Sequence, residues 1–289
     1  MVLKAPEISP GLYLVATPIG TASDISLRAL DLLTKADILV AEDTRNLRKL
    51  MNIHQIKLKN RILISYHDHN GAEQRPKIIK LIKNQNSVVL VSDAGTPLIA
   101  DPGYQLVRDV ISEGLAISSV PGASAVLSAL MVSGLPTDKF FFAGFIPPKK
   151  GAKETFFSDW LNLPSSLVFY ESSTRLIKTL NFLSNVCDEN RQIAVCRELT
   201  KKFEEVQRGT VKSVLEHFSK REKIKGEIVL VVGPPKAKTY DNDEIDNRLM
   251  KLFKNMTIKD AVNLVSEELK LSRKIVYSRA LEIKMLVDI

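Results

Sequence analysis

The stretch VVLVSDAGTPLIADP occupies residues 88–102. Its first four residues, Val88, Val89, Leu90 and Val91, are apolar without alternation, the pattern of a strand covered on both faces, and such strands belong mainly to parallel sheets. Ser92 and Asp93 then fall at the strand's carboxyl end, where open α/β sheets bind their ligands. Two turns follow, one through Ala94 and Gly95, the other through Asp101, Pro102 and Gly103. A carboxylate on a glycine-containing turn can accept hydrogen bonds from a ribose or an amine, and Asp before Gly or Pro equally well caps a turn. Both readings stand for Asp93 and Asp101.

Working outward, the same pattern recurs toward the N-terminus. Residues 12–16 (LYLVA) read as a first buried strand ending in the turn Thr17-Pro18-Ile19-Gly20, and residues 27–33 as a helix that Asp24 or Ser26 caps. Residues 36–41 (ADILVA) form a second strand, delivering Glu42, Asp43 and Arg45 to its carboxyl end. Paired carboxylates beside an arginine suit acid–base or phosphate chemistry; alternatively Arg45 pairs with one carboxylate and caps the next helix. A third strand, residues 61–66, runs into His67-Asp68-His69-Asn70. His-x-His from one loop supplies only part of a metal site, so polar or RNA-facing contacts are favoured and no metal is expected. A helix over residues 73–83, one starting near residues 103–105, and a strand at 116–120 complete five βα units, a parallel three-layer domain over residues 1–120.

Pro121-Gly122 interrupts the alternation, and Ser124 caps a helix of small residues over 124–131. A helix start presents N–H groups that can hold a carboxylate or phosphate. Strands follow at 140–145, 167–170, 193–197 and 228–232, with a polar one at 204–210. The short connections and the polar strand predict a mixed sheet in a second α/β domain, residues 121–236, with a cleft between the two. Beyond residue 243, Thr257 to Asp260 is a capping-box pattern, and Leu271-Ser272 restarts a helix. The outline is helix-turn-helix and carries Arg248, Lys251, Lys254, Lys259, Lys270, Arg273, Lys274, Arg279 and Lys284. A small helical domain at 243–289 is expected, facing RNA, solvent or a second subunit.

The chain has 289 residues, 45% hydrophobic and 26% charged, with a net charge of +8. That composition fits a soluble globular protein with polyanionic partners. Its two cysteines, Cys187 and Cys196, are too few for a disulfide scaffold or a zinc site, which suits a cytoplasmic protein. No signal peptide or membrane segment is legible. None of the 13 glycines is separated from another by a single residue, so the dinucleotide fingerprint is absent, as are the P-loop and the nucleophile elbow. An α/β cleft enzyme with an uncommon cofactor site remains.

The ordered set LVATPIG (14–20), AEDTR (41–45), VSDAGTPLIADPG (91–103), VPGASA (120–125), FFFAGFIPPK (140–149), LVFYES (167–172), CRELTK with EEVQRGT (196–210) and KGEIVLVVG (225–233) resembles the bacterial small-subunit ribosomal RNA methyltransferases of the tetrapyrrole-methylase fold family. The basic tail resembles that family's C-terminal helical domain. After TPIG the chain departs from the family pattern, carrying Thr21-Ala22-Ser23-Asp24-Ile25.

The resemblance implies methyl transfer from S-adenosyl-L-methionine to the ribose 2′-hydroxyl of a cytidine in the decoding region of 16S rRNA, free or in the small ribosomal subunit, by a cytoplasmic homodimer. By motif matching, the cofactor contacts are Asp93, Ala94, Gly95, Ile99, Ser124, Ala125, Tyr170, Gly226 and Glu227. A sulfonium methyl is already activated, so the protein must mainly align the hydroxyl and accept its proton. Glu42, Asp43 and Lys201 are candidate bases or orienting groups, and Arg45 places a phosphate or holds the carboxylates. Three other functions fit the same residues: a small-molecule methylase of this fold, a non-catalytic ribosome-binding protein, and a sugar-phosphate enzyme.

Overall fold

In the computed structural model, residues 8–236, 242–269 and 271–287 are described. The chain divides into two compact units, residues 1–235 and 236–289.

The first unit opens with β1 (Gly11–Val15), α1 (Leu27–Lys35), β2 (Ile38–Ala41), α2 (Thr44–Ile53), β3 (Ile62–Ser65), α3 (Gly71–Lys83), β4 (Ser87–Val91), α4 (Tyr104–Ser112) and β5 (Ile117–Val120). The strands form one sheet in the order β3-β2-β4-β1-β5, and every pairing is parallel. Each residue of β2 and β4 is buried, as a strand must be when helices cover both faces. The apolar run at 88–91 is therefore the centre of the sheet. Val15, Leu39, Val89 and Val91 pack on one face against Leu32, Leu33, Leu47 and Met51. Leu12, Val40, Val88 and Leu90 pack on the other against Ile78, Ile82, Leu106 and Val110.

The chain continues through α5 (Ala125–Ser133), β6 (Phe140–Phe145), α6 (Lys150–Trp160), β7 (Ser166–Ser172), α7 (Leu176–Val186), β8 (Gln192–Arg197), β9 (Glu205–Thr210), α8 (Val211–Ser219) and β10 (Glu227–Val232). The second sheet runs β6-β7-β10-β8-β9. Only β6 and β7 pair in parallel; the remaining pairs are antiparallel, so the sheet is mixed as expected. Val126, Ala129 and Leu130 of α5 pack on Val168, Ala194, Cys196, Val229 and Val231, and Ile19 from the turn after β1 joins that core. Thus α5 belongs to the second sheet, while the β1 turn plugs into it from the first.

Among the described residues the second unit holds three helices, α9 (Asn242–Leu252), α10 (Ile258–Glu268) and α11 (Arg273–Val287), one more than the helix-turn-helix outline. Ile245, Leu249, Ala261, Val265, Val276 and Ala280 form their core. Thr257 caps α10, its hydroxyl accepting the Asp260 N–H at 3.3 Å and donating to the Asp260 carboxylate at 2.6 Å. Of the expected basic residues, Arg279 binds Asp246 and Glu282, and Arg248 binds Glu244 and Glu268. These two hold helices together. Lys251, Lys254, Lys259, Arg273, Lys274 and Lys284 are exposed; Lys270 lies outside the described residues. No helix among the described residues is long and apolar enough to cross a membrane.

Candidate functional site

The turn after β4 is built from both sides. Gly95 donates to the Thr17 carbonyl at 3.0 Å and accepts the Thr17 N–H at 2.9 Å, joining the two turns in a two-residue bridge. Gly95 takes φ +79°, and a Cβ there would lie 3.3 Å from Ile19 Cγ2. Backbone conformation and space both call for glycine. The Thr96 hydroxyl donates to the Ala123 carbonyl at 3.1 Å, tying the turn to the start of α5. Leu98 and Ala100 take φ +72° and +65°, a conformation that non-glycine residues adopt at a cost of about 1–3 kcal/mol each. Those two strained residues flank Ile99.

A cavity of about 350 Å³ opens between the sheets. It is lined by Ala94, Gly95, Ile99, Ser124, Ala125, Tyr170, Gly226 and Glu227, together with Ile19, Thr96, Asp101, Phe145, Glu171 and Leu199. Ser124 caps α5 by accepting the Leu127 N–H, and the earliest N–H groups of a helix have no acceptor within it. Tyr170 meets Phe142 and Phe145 edge to face, with centroids 4.9 and 5.1 Å apart, and burial pushes its hydroxyl pKa up to about 12. The charged side chains of the lining, Asp101, Glu171 and Glu227, are all acidic, although the chain carries +8 overall. Such a lining attracts a cationic ligand.

Two of these carboxylates have hydrogen-bond partners of their own. Glu171, 3% exposed, accepts from the Ser172 N–H at 2.7 Å, Arg175 Nε at 2.9 Å and the Thr179 hydroxyl at 2.5 Å. Thr179 in turn accepts from the buried Lys153 Nζ at 2.9 Å. Glu227 accepts from Lys201 Nζ at 2.7 Å, and Lys201 also binds Glu198 at 3.0 Å. Burial disfavours charge on Lys201, but the hydrogen bonds to Glu227 and Glu198 outweigh it and raise its pKa. Lys201 stays protonated and orients Glu227.

None of the AEDTR residues lines this cavity; Glu42 lies within electrostatic reach of its Asp101. Asp43 caps α2, accepting the Arg45 N–H at 2.8 Å, and its carboxylate also binds the Arg45 guanidinium at 2.6 Å. Hydrogen bonds from Arg45 lower its pKa to about 2, making it a poor base. Arg45 is thereby tied to its neighbour and to the helix end. Burial, then the nearby charges of Asp101 and Asp93, raise Glu42 above the usual carboxylate range. Asp101 is raised as well, by burial first and then Asp93, against a hydrogen bond from Ser92.

Asp93, alone among the expected cofactor contacts, does not line this cavity. Its carboxylate accepts the Asp43 N–H at 3.0 Å and the Asn46 amide at 2.9 Å. It lines a second cavity of about 380 Å³, between the β1 turn and α2. The two cavities share Ala94 and Glu227. The Asn70 amide is used within its loop, bonding the His67 N–H and the Ser65 carbonyl, each at 2.9 Å. His67 Nδ1 is buried without a partner. No group of three or more His, Cys, Asp or Glu among the described residues could hold a metal ion.

Glu171, Glu198 and Phe145 were not singled out from sequence. Asp101 was visible in the turn but equally readable as a cap. Glu171 followed the recognised Tyr170 without a sign that it is buried.

Residues 11–215 match the family of Tetrapyrrole (Corrin/Porphyrin) Methylases. A ribosomal RNA small subunit methyltransferase I from Mesorhizobium japonicum is 42% identical over 98% of this chain and 95% of its own length. One from Rickettsia prowazekii is 41% identical, covering 96% and 97%. Among solved structures, the methyltransferase CobJ superposes with TM-score 0.58 at 16% identity, covering 81% of this chain and 98% of its own. Thermus thermophilus uroporphyrin-III C-methyltransferase complexed with S-adenyl homocysteine gives TM-score 0.52 at 18% identity, covering 76% and 96%. At such identities the structural likeness concerns the fold.

Proposed function

From the premise that the chain belongs to the tetrapyrrole methylase family, and within it to the ribosomal RNA small subunit methyltransferase I group, we propose that it methylates the ribose 2′-hydroxyl of a cytidine in the decoding region of 16S rRNA. It is an S-adenosylmethionine-dependent methyltransferase. The observation that carries the reading at the site is the acid-lined cavity between the sheets, where Ala94, Gly95, Ile99, Ser124, Ala125, Tyr170, Gly226 and Glu227 converge. Its donor set fits the cofactor: helix N–H groups for a carboxylate, aromatic and aliphatic walls for a base, and Asp101 and Glu227 for a cationic amino or sulfonium group.

When bound, S-adenosylmethionine supplies a methyl group on a sulfonium whose sulfur keeps the bonding electron pair. The residues beside it then have two tasks. Glu42, raised by burial and neighbouring carboxylates, takes the proton of the ribose hydroxyl as its oxygen bonds to carbon. Lys201 holds Glu227 at the wall common to both cavities. Asp43 and Arg45 fix the end of α2 and, through the Asp43 N–H, the Asp93 carboxylate. The exposed lysines and arginines of the helical unit support contact with an RNA backbone. The protein works on this reading in the cytoplasm as a homodimer, on rRNA or on the small subunit.

The test is calorimetric titration with S-adenosylmethionine followed by transfer of labelled methyl to small ribosomal subunits lacking the modification. Saturable binding with label in 2′-O-methylcytidine supports the reading. Binding with transfer only to a corrin or porphyrin replaces it by the small-molecule methylase, and RNA affinity without cofactor binding by the non-catalytic protein.

A further inference from the structure

We propose that the second cavity, between the β1 turn and α2, seats the target nucleoside, with Asp93 and Asn46 reading an exocyclic amine on its base; this rests on the RNA-methylating function proposed above. The cavity measures about 380 Å³, much the same as its neighbour at about 350 Å³. Because Ala94 and Glu227 line both, a group in one lies a single wall away from a group in the other. Donor and acceptor of a methyl group need that proximity.

The lining has the chemistry of a base pocket. Pro18, Leu50 and Ile53 give it aliphatic walls, suited to a planar ring taken out of its stack. Ile53 is 54% exposed on a helix whose other exposed positions are polar. An aliphatic side chain exposed there offers a surface on which a ring can stack. The exposed Asp93 carboxylate is fixed by the Asp43 N–H and the Asn46 amide. The Asn46 side-chain amide also carries an oxygen that accepts. Two acceptors on this pair suit an amino group such as N4 of cytosine and disfavour uracil, which offers a carbonyl there. Lys49, exposed one turn along α2 and also in the lining, stands where a backbone phosphate would enter.

Two variants test the proposal: Ile53→Trp, which fills the slot from an exposed position, and Lys49→Glu at its rim. Each is assayed for S-adenosylmethionine affinity by calorimetry, for thermal midpoint, and for methyl transfer to small subunits lacking the modification. The expected result is cofactor affinity and midpoint close to those of the parent, with kcat/KM for the subunits reduced about thirtyfold or more by Ile53→Trp and roughly tenfold by Lys49→Glu. Transfer within threefold of the parent in both variants would overturn the proposal. So would weakened cofactor binding with unchanged KM for the subunit, which would assign the cavity to the donor. If Ile53→Trp melts early, Lys49→Glu decides alone. Failure of the unsubstituted chain to methylate any subunit, despite binding the cofactor, would instead remove the RNA reading on which the proposal stands.

Discussion

Replacing Gly95 by alanine tests how the central turn is built. Gly95 has φ +79°, and its new Cβ would approach Ile19 Cγ2 to 3.3 Å and the Ala123 carbonyl oxygen to 3.8 Å. The left-handed backbone costs an L-residue about 1–2 kcal/mol. The contact adds to this, because Ile19 is 8% exposed and packs against Val126 and Leu130, so it moves only by disturbing that core. A total of about 2–3 kcal/mol follows, which for a domain of this size lowers the thermal midpoint by roughly 4–12 °C. Gly114 supplies the control: its φ is +65°, with nothing within 4 Å of a Cβ. Gly114→Ala should show the backbone cost alone, about 1–2 kcal/mol, with cofactor affinity unchanged. Gly95→Ala should weaken S-adenosylmethionine binding at least about tenfold, since the displaced Ile19 and the Gly95 backbone both line the cavity. Calorimetric titration and thermal unfolding of both variants decide. Equal midpoints for the two, with equal cofactor affinity, would refute the close fit between the β1 and β4 turns.

Further outcomes can be checked alongside. Glu42→Gln should lower the rate of methyl transfer by about 10²–10⁴-fold while leaving cofactor affinity unchanged. If Glu42 accepts the proton as proposed, it acts deprotonated, and because its pKa is raised the parent's single-turnover rate should fall as pH drops through a value above that of an ordinary glutamate, and this limb should vanish in the variant. Thr179→Val removes the hydroxyl joining buried Lys153 to Glu171; unfolding in denaturant should show a loss of about 2–3 kcal/mol with little change in slope. Glu205 is lowered to about 2, chiefly by hydrogen bonding to Arg221 and also by Arg197 and His217. A depressed carboxylate stabilises the fold above its unfolded pKa, so that contribution is present above about pH 4.5 and is lost as pH falls toward 2. Glu205→Gln should therefore unfold more readily than the parent at pH 7, and the gap should close in acid titrations followed by circular dichroism.

The strands were legible because burial leaves its mark on composition. The run at 88–91 could be a central strand only if both faces were covered, and β2 and β4 are buried along their whole length. The strand β9 was legible as a polar one, in keeping with its place at the sheet edge. Within the expected helical tail α9 was not marked out, although Ile245, Leu249 and Leu252 recur at helical spacing. Most of the cavity lining was legible through motif resemblance. The partners that give each group its chemistry were not. Asp93 finds Asn46 across a separation of 47 residues, and Lys201 finds Glu227 across 26. Such pairs are created by the crossing of elements and leave no periodicity in the chain. The Glu171–Thr179–Lys153 network likewise depends on α6 and α7 covering the sheet, so a buried lysine there reads in sequence as an ordinary surface cation.

The most direct measurement of the central claim is the chemical position of the transferred methyl. Small ribosomal subunits lacking the modification are incubated with the protein and methyl-labelled S-adenosylmethionine, the RNA is hydrolysed in alkali, and the fragments are resolved by mass spectrometry. The account predicts label in an alkali-resistant dinucleotide whose 5′ residue is 2′-O-methylcytidine. Label on a base, or none in RNA while a corrin or porphyrin is methylated, would contradict it.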